Sequence, residues 1–485
     1  MLFGQDFMFY DIALLILFSI ALAVFLIVKR KRVDREGIMF LYRTKWGIKL
    51  MNYIGGKFAK PLNVISYIAI FAGYILMISI VYLIGTIVYA YFKFPQIVNV
   101  IKVPPITPIF PYFTKVFNIE SLFPPFYFSY FIIIVGLTMF VHEFSHGIYM
   151  VLHKIKIKST GFAFFLIFPG AFVEQDEKQM NTKSKRAQMS VLSAGVFANL
   201  LLALISYLLL IFVFTSFFVP SGAVFNMYPV VAINVSQIDS INGYNVSGMS
   251  SQELISLIDD KTITDSKIGR LNLTSVSIQN NLFFLPAENL KNSFVSSGLA
   301  EAFIDSPSIK AGFPEVNPIS PAAITSINNI PVKNYDSLSE ELAKYSVGDR
   351  VSITVKKNGI SEDFNIAFKK NPVTGAPFIG ISFYDSSNDL FGFYKDKNTL
   401  YEPINNSDTA VLFRDFFWWM ALINLFIALF NMLPVAILDG GRFFYLTILG
   451  ITKSENIAKF IFKCSNYIIL GAFLVLLARW FFLVV

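Results

Sequence analysis

Cysteine and histidine are nearly absent from this sequence, and charge is scarce. The chain of 485 residues holds one cysteine, Cys464, and three histidines. A single cysteine excludes an internal disulfide and any thiolate-built zinc cluster. Charged residues make up 15% of the chain, against about 25% in an ordinary soluble domain. Hydrophobic residues make up 55%. That balance excludes a disordered chain and a single soluble globule, and it fits a membrane protein with a soluble portion. The net charge of +8 comes from short clusters of Lys and Arg beside apolar runs. Such clusters report topology, so no nucleic-acid partner is expected.

About 20 apolar residues span a bilayer as a helix. Six runs qualify, near 8–28, 66–92, 127–152, 189–218, 412–435 and 458–481. A seventh, GFAFFLIFPGAFV at 161–173, is too short to span. Its Gly and Pro content predicts a re-entrant hairpin buried in protein, because lipid leaves an unpaired backbone unsatisfied. Basic residues follow the first span (Lys29 to Arg32, Arg35, Arg43), the third (Lys154, Lys156, Lys158, Lys183, Lys185, Arg186) and the fifth (Arg442, Lys453, Lys459). Alternation puts these three loops on one side, and the positive-inside rule makes it the cytoplasm. Both termini are then external. The first ten residues lack a basic n-region, so no cleaved signal peptide is expected. Trp418 and Trp419 at the fifth span, and Arg479 with Trp480 at the sixth, read as interfacial anchors.

Residues 93–126 contain seven prolines, which oppose regular helix. The loop reads as a stiff external connector or as a lid. Residues 219–410 are rich in Ser, Asn and Asp, with short alternating apolar runs. All four Asn-x-Ser/Thr sequons fall here, at Asn234, Asn245, Asn272 and Asn405, in keeping with an external location. A weak repeat is visible: IDSINGYNV at 238–246 parallels ITSINNIPV at 324–332, and SQEL at 251–254 parallels SEEL at 339–342. The order strand, turn, short strand, helix, then GDRVSITVKKNG at 348–359, resembles a PDZ domain, more closely over 296–385 than over 221–290. PDZ domains take an extended peptide as an added strand; a small β-rich domain without a groove is the other reading.

Two of the three histidines frame His142-Glu143-Phe144-Ser145-His146 inside the third span. Residues i and i+4 share a helix face, so both imidazoles can reach one metal ion. Glu143, about 100° further round, can contact a water on that metal without ligating it. A zinc site needs a third protein ligand and an open position. His153 is a poor candidate, roughly 10 Å along the same helix from His146; it reads as an interfacial group. The clearest carboxylate among apolar residues is Asp439, in Asn431-Met-Leu-Pro434-Val-Ala-Ile-Leu-Asp439-Gly440-Gly441. Pro434 breaks the helix and the glycines let the chain turn, so Asp439 is free either to face the bundle or to cap the next helix.

HEFSH in a membrane helix, followed by NMLPVAILDGG, resembles the site-2 protease family of intramembrane zinc metalloproteases. The order of parts matches its PDZ-bearing branch over about 127–485, with residues 1–126 outside the match. The resemblance implies one zinc held by His142, His146 and Asp439, with Glu143 as general base. It implies Asn431 as a polar group near the scissile strand, and it makes Asn199, in SAGVFANLLLA, a second candidate contact for substrate or oxyanion. GAFVE at 170–174 resembles the end of the family's membrane β-hairpin. Where many members have Pro-x-Pro, this chain has Pro434-Val435-Ala436, which alters the local kink without removing a ligand.

The expected fold is a polytopic α-helical membrane protein. It has about six transmembrane helices, a membrane-associated β-hairpin, and an extracytoplasmic α/β insertion of one or two PDZ-like units. The expected parts are 1–126, two helices and the Pro-rich loop; 127–218, the half with the His-Glu-x-x-His motif; 219–295 and 296–410, the two external units; and 411–485, the half with Leu-Asp-Gly. The implied activity is hydrolysis of peptide bonds within single-span membrane proteins already trimmed by an upstream site-1-type protease. The implied setting is the cell membrane, with the active site nearer the cytoplasmic face, since His142 lies roughly 22 Å from the external end of its span. Two readings stay open on the residues alone. One is an ion-coupled transporter or channel using the same polar groups; the other is an inactive, substrate-binding relative.

Overall fold

The computed structural model describes residues 4–37, 39–94, 103–105, 107–120, 122–165, 168–295, 298–371, 374–383, 392 and 394–484. Two compact units are present, one of Met1–Phe214 with Asp408–Val485, the other of Thr215–Ser407.

Among the described residues, the first unit contains six helices long and apolar enough to cross a membrane. They are α1 (Gly4–Val28), α3 (Ala59–Lys93), α4 (Phe128–Leu152), α6 (Lys185–Phe217), α7 (Asp408–Asn431) and α9 (Glu455–Val484). Shorter helices of the same unit include α2 (Ile48–Lys57), α5 (Glu177–Thr182) and α8 (Asp439–Thr452). In α1 the apolar residues run round the whole circumference, as suits a lipid-facing span. Its carboxylate Asp11 is only 3% exposed. Asp11 accepts hydrogen bonds from the Phe128 N–H (2.6 Å), the Ser129 N–H (2.9 Å) and the Tyr112 hydroxyl (2.6 Å). Tyr127, the N-cap residue of α4, provides no side-chain cap. Asp11 therefore satisfies the free N–H groups that open α4 and adds the favourable charge at that helix end. α3 packs on α8, where Gly73 faces Phe443 and the Tyr74 hydroxyl lies 3.0 Å from Thr447 Oγ1.

The short run at 161–173 forms most of a hairpin, β3 (Ile157–Phe165) and β4 (Phe168–Gln175), whose tip at 166–167 is outside the described residues. It belongs to a four-stranded antiparallel sheet. β1 (Val33–Glu36) and β2 (Met39–Thr44), from the basic segment after α1, complete the order β1-β2-β3-β4. Residues 1–126 thus contribute half the strands of this sheet, a partnership that local sequence does not reveal. In the Pro-rich loop, Pro95 is outside the described residues. The described part packs as an aromatic cluster with Trp419, whose indole N–H donates to the Pro125 carbonyl at 3.2 Å. Phe113 and Phe126 lie 5.5 and 4.7 Å from the Trp419 ring. Trp419 is therefore buried, not an interfacial anchor: the phenylalanines of the loop cover it.

Among the described residues, the second unit contains two large sheets and a separate two-stranded pair. β5 (Phe218–Phe225) opens the unit. The chain then builds β6 (Val230–Asn234), β7 (Ser240–Ile241), β8 (Tyr244–Asn245), β9 (Ser266–Ile268), β10 (Leu271–Ile278), β11 (Asn281–Leu285) and β12 (Leu299–Ile304). These form one sheet in the order β6-β12-β11-β10-β7-β8, with β9 on β10. β13 (Ala322–Ile327), β14 (Ile330–Pro331), β15 (Arg350–Lys357), β16 (Ile360–Ala367), the small pair β17 (Lys369–Lys370) and β18 (Pro377–Phe378), and β19 (Thr399–Pro403) follow. The second sheet runs β16-β15-β13-β5-β19, with β14 on β13. The expected boundary between residues 295 and 296 does not follow these sheets. β5 pairs with later strands and β12 with earlier ones, because strand pairing is non-local and alternation does not name a partner. The repeated segments do take matching forms. Each ends in a tight hairpin with positive φ at Asn242-Gly243 or Asn328-Asn329. Each is followed by a helix with a capping box, at Ser250/Glu253 or Asn334/Ser337.

Candidate metal centre

The centre lies where α4, α6 and the start of α8 meet. One turn of α4 brings the His142 and His146 Nε2 atoms to 3.0 Å from each other. α7 ends at Asn431, the chain turns through Pro434, and α8 begins at Asp439. Gly440 and Gly441 permit this reversal: a β-carbon on Gly440 would sit 2.6 Å from the Leu433 carbonyl oxygen, and one on Gly441 3.1 Å from the Ala436 nitrogen. Asp439 faces the bundle, with Oδ2 3.3 Å from His142 Nε2 and 3.2 Å from His146 Nε2.

These three atoms fit a zinc ion. With bonds of about 2.0–2.1 Å, tetrahedral ligands lie about 3.3 Å apart, close to the three measured separations. Two further observations support the fit. The His146 Nδ1–H donates to the Val191 carbonyl at 2.7 Å, since a carbonyl oxygen only accepts, and this leaves the Nε2 lone pair free. Gly195 stands opposite the rings, and a β-carbon there would lie 2.7 Å from His142 Nε2 and in contact with His146 Nε2. The missing side chain thus keeps the ligand position clear.

Val191, Gly195 and Asn199 recur every four residues on α6 and line one face. Asn199 is fully buried, its amide nitrogen lies 3.0 Å from His142 Nδ1, and its Oδ1 has no hydrogen-bond partner. Turning the amide by 180° puts Oδ1 on an Nδ1–H. The same turn satisfies the buried oxygen and frees His142 Nε2 for a metal.

A cleft of 660 Å³ opens on His142, His146 and Asp439 and is lined also by Glu143, Asn199, Asn431, Val173, Gln175 and Lys158. Glu143 Oε2 accepts the Val173 N–H at 3.0 Å, so the edge strand β4 runs beside the carboxylate. Asn431 sits on the cleft wall. His153 stands apart from the centre, with Nε2 2.9 Å from the Ser190 hydroxyl. The Val191 carbonyl, Gly195 and the Val173 amide were not picked out as site groups from sequence. The spacing of four places 191 and 195 on the helix face of Asn199, whereas nothing in the residue type marks the Val191 carbonyl or the Val173 amide. Arg442 is a further neighbour of the site that its residue type does not signal. It reaches Glu177 at 3.1 Å, Asn181 at 2.7 Å and Gln188 at 3.2 Å, and so ties the start of α8 to α5 and α6.

Two histidines on a helix apolar enough to cross a membrane, the aspartate that opens α8 and a further carboxylate beside them form a candidate metal centre of a membrane protein. The model of Peptidase family M50 matches residues 130–476. The chain belongs to this family, the site-2 protease family of zinc metalloproteases, and it is a multi-pass membrane protein. It is also similar to an uncharacterized protein of Methanocaldococcus jannaschii, MJ0971, at 40% identity over 85 residues. That stretch is 17% of this chain and 23% of the relative, so the chain matches under a quarter of that protein's length.

Proposed function

We propose that the chain is an intramembrane zinc metalloprotease that hydrolyses peptide bonds in the transmembrane segments of single-span proteins. The observation that carries this reading is the 3.0–3.3 Å triangle of His142, His146 and Asp439 with Glu143 on the same cleft. His142, His146 and Asp439 would hold one zinc. When bound, zinc polarises the scissile carbonyl and acidifies a water molecule. Glu143 takes the proton from that water and returns it to the leaving amine. Asn199 fixes the His142 ring through Nδ1. Asn431, on the cleft wall, would donate to the developing oxyanion.

A helical substrate must unwind before its amides can be attacked. β4 is the edge of its sheet and borders the cleft, so it can supply replacement backbone hydrogen bonds to an unwound strand. The basic loops support a cytoplasmic site opening and an external second unit. The paired hairpin-and-helix repeats of that unit support PDZ-like modules, which would recognise stumps left by an upstream site-1-type protease. The test is cleavage of a single-span substrate by the reconstituted protein. Wild type cuts within the span and Glu143→Gln does not; ion transport by the same vesicles without cleavage would replace this reading with a transporter.

A further inference from the structure

Residues 29–60, between the first two spans, carry ten basic and two acidic residues, a surplus of eight that equals the net charge of the whole chain. Topology asks for basic residues on this side, but it does not explain the surface they flank. Inward, α2 buries Met51 and Gly55. A β-carbon on Gly55 would meet the Ile148 carbonyl oxygen and Val151 Cβ at 2.8 Å. Gly147, the residue after His146, likewise makes room for the Met51 side chain. α2 therefore lies directly against the turn of α4 that carries a metal ligand.

Outward, α2 and the residue pair before it present the opposite character. Trp46 is 66% exposed, Leu50 51% and Tyr53 54%. Positions 50, 53 and 57 fall on one face of α2 at helical spacing, Trp46 stands just before the N-cap Gly47 with its ring 5.8 Å from that of Phe140, and Lys45, Lys49 and Lys57 are exposed around them. Lys57 Nζ lies 2.6 Å from the Tyr53 hydroxyl and 5.0 Å from its ring centroid, with its stem along the aromatic surface. Exposed Trp, Tyr and Leu flanked by lysines compose a helix that lies in the headgroup region. An acidic protein partner would satisfy the lysines but gives no reason for the row of apolar side chains among them.

We propose that α2 with its flanking lysines is a docking surface for anionic phospholipid headgroups, and that the docked leaflet holds α2 against the His146 turn and raises the cleavage rate. The rate effect rests on the protease reading; the docking does not.

The experiment uses the full chain carrying Glu143→Gln, reconstituted in vesicles of phosphatidylcholine alone or mixed with phosphatidylglycerol. Hydrogen exchange is followed over residues 46–58 and 144–151. Phosphatidylglycerol is expected to slow exchange of 46–58 several-fold, high salt to reverse this, and the triple variant Lys45→Gln, Lys49→Gln, Lys57→Gln to abolish it. Equal exchange in both vesicles, or full protection in the triple variant, overturns the docking whatever the enzyme's activity. So does protection by soluble polyglutamate but not by phosphatidylglycerol, which would assign the surface to an acidic protein. With Glu143 restored, phosphatidylglycerol is expected to raise cleavage of a single-span substrate several-fold, while the triple variant keeps the phosphatidylcholine rate and loses the rise. An unchanged rate alongside an intact exchange response overturns the coupling alone.

Discussion

The carbonyl oxygen of Val191 accepts the Nδ1–H of His146 at 2.7 Å. One backbone group of α6 thereby fixes the tautomer of a ring on α4 and points its free nitrogen at Asp439. Four residues further on, Gly195 leaves space, and four beyond that Asn199 meets the second ring. α6 contributes none of the three proposed zinc ligands, yet it sets the orientation of two of them.

Asn199→Ala removes the partner of His142 Nδ1. Zinc affinity, measured by chelator competition, is expected to fall about 10–100-fold. Asn199→Asp, which can only accept, should recover most of it. Equal affinity in all three proteins would reduce Asn199 to a packing residue.

Gly195→Ala separates stability from metal binding. Alanine is favoured over glycine inside a helix by about 1 kcal/mol, which offsets part of the crowding against the two rings, so the thermal midpoint of the zinc-free protein should fall little. Its β-carbon intrudes on both imidazoles, so zinc content should drop sharply. Full zinc occupancy in this variant would contradict the assigned ligand position.

Asp11→Ala tests whether the first helix pins the fourth. The change leaves two helix-opening N–H groups and a tyrosine hydroxyl without their shared acceptor. A loss of about 2 kcal/mol is expected, read from denaturation in detergent micelles. Asp11→Asn should lose less. No change in either variant would show that α4 needs no partner from α1.

Acidification tests His153. Burial first, then nearby Arg186 and Lys183, holds its pKa below the usual 6.5. Below that value the unfolded chain takes up a proton that the folded chain refuses. Stability from this group is therefore full above the ordinary pKa and declines as pH falls towards the lowered folded one. His153→Gln should flatten that part of the curve of thermal midpoint against pH; an unchanged slope would clear His153 of the effect.

Much of the site could be read from the chain because its signals are local. His142 and His146 share a helix face by spacing alone, and Pro434 with Gly440-Gly441 announces the turn that returns Asp439 to the bundle. The groups around them were less legible for definite reasons. Val191 acts through its carbonyl, and a backbone atom leaves no mark in residue type. β2 pairs Phe40 with Phe164, and no periodicity connects residues so far apart. β5 joins one strand formed about 100 residues later and another about 180 residues later. Trp419 resembles an interfacial anchor until the phenylalanines of a distant loop are seen to cover it.

The most direct test of the central claim is zinc analysis of the purified protein, paired with cleavage of a reconstituted single-span substrate. Wild type and Glu143→Gln should each hold one zinc per chain, with cleavage only by wild type, while Asp439→Ala should hold none and cut nothing. Stoichiometric zinc in Asp439→Ala, or undiminished cleavage by Glu143→Gln, would contradict the account.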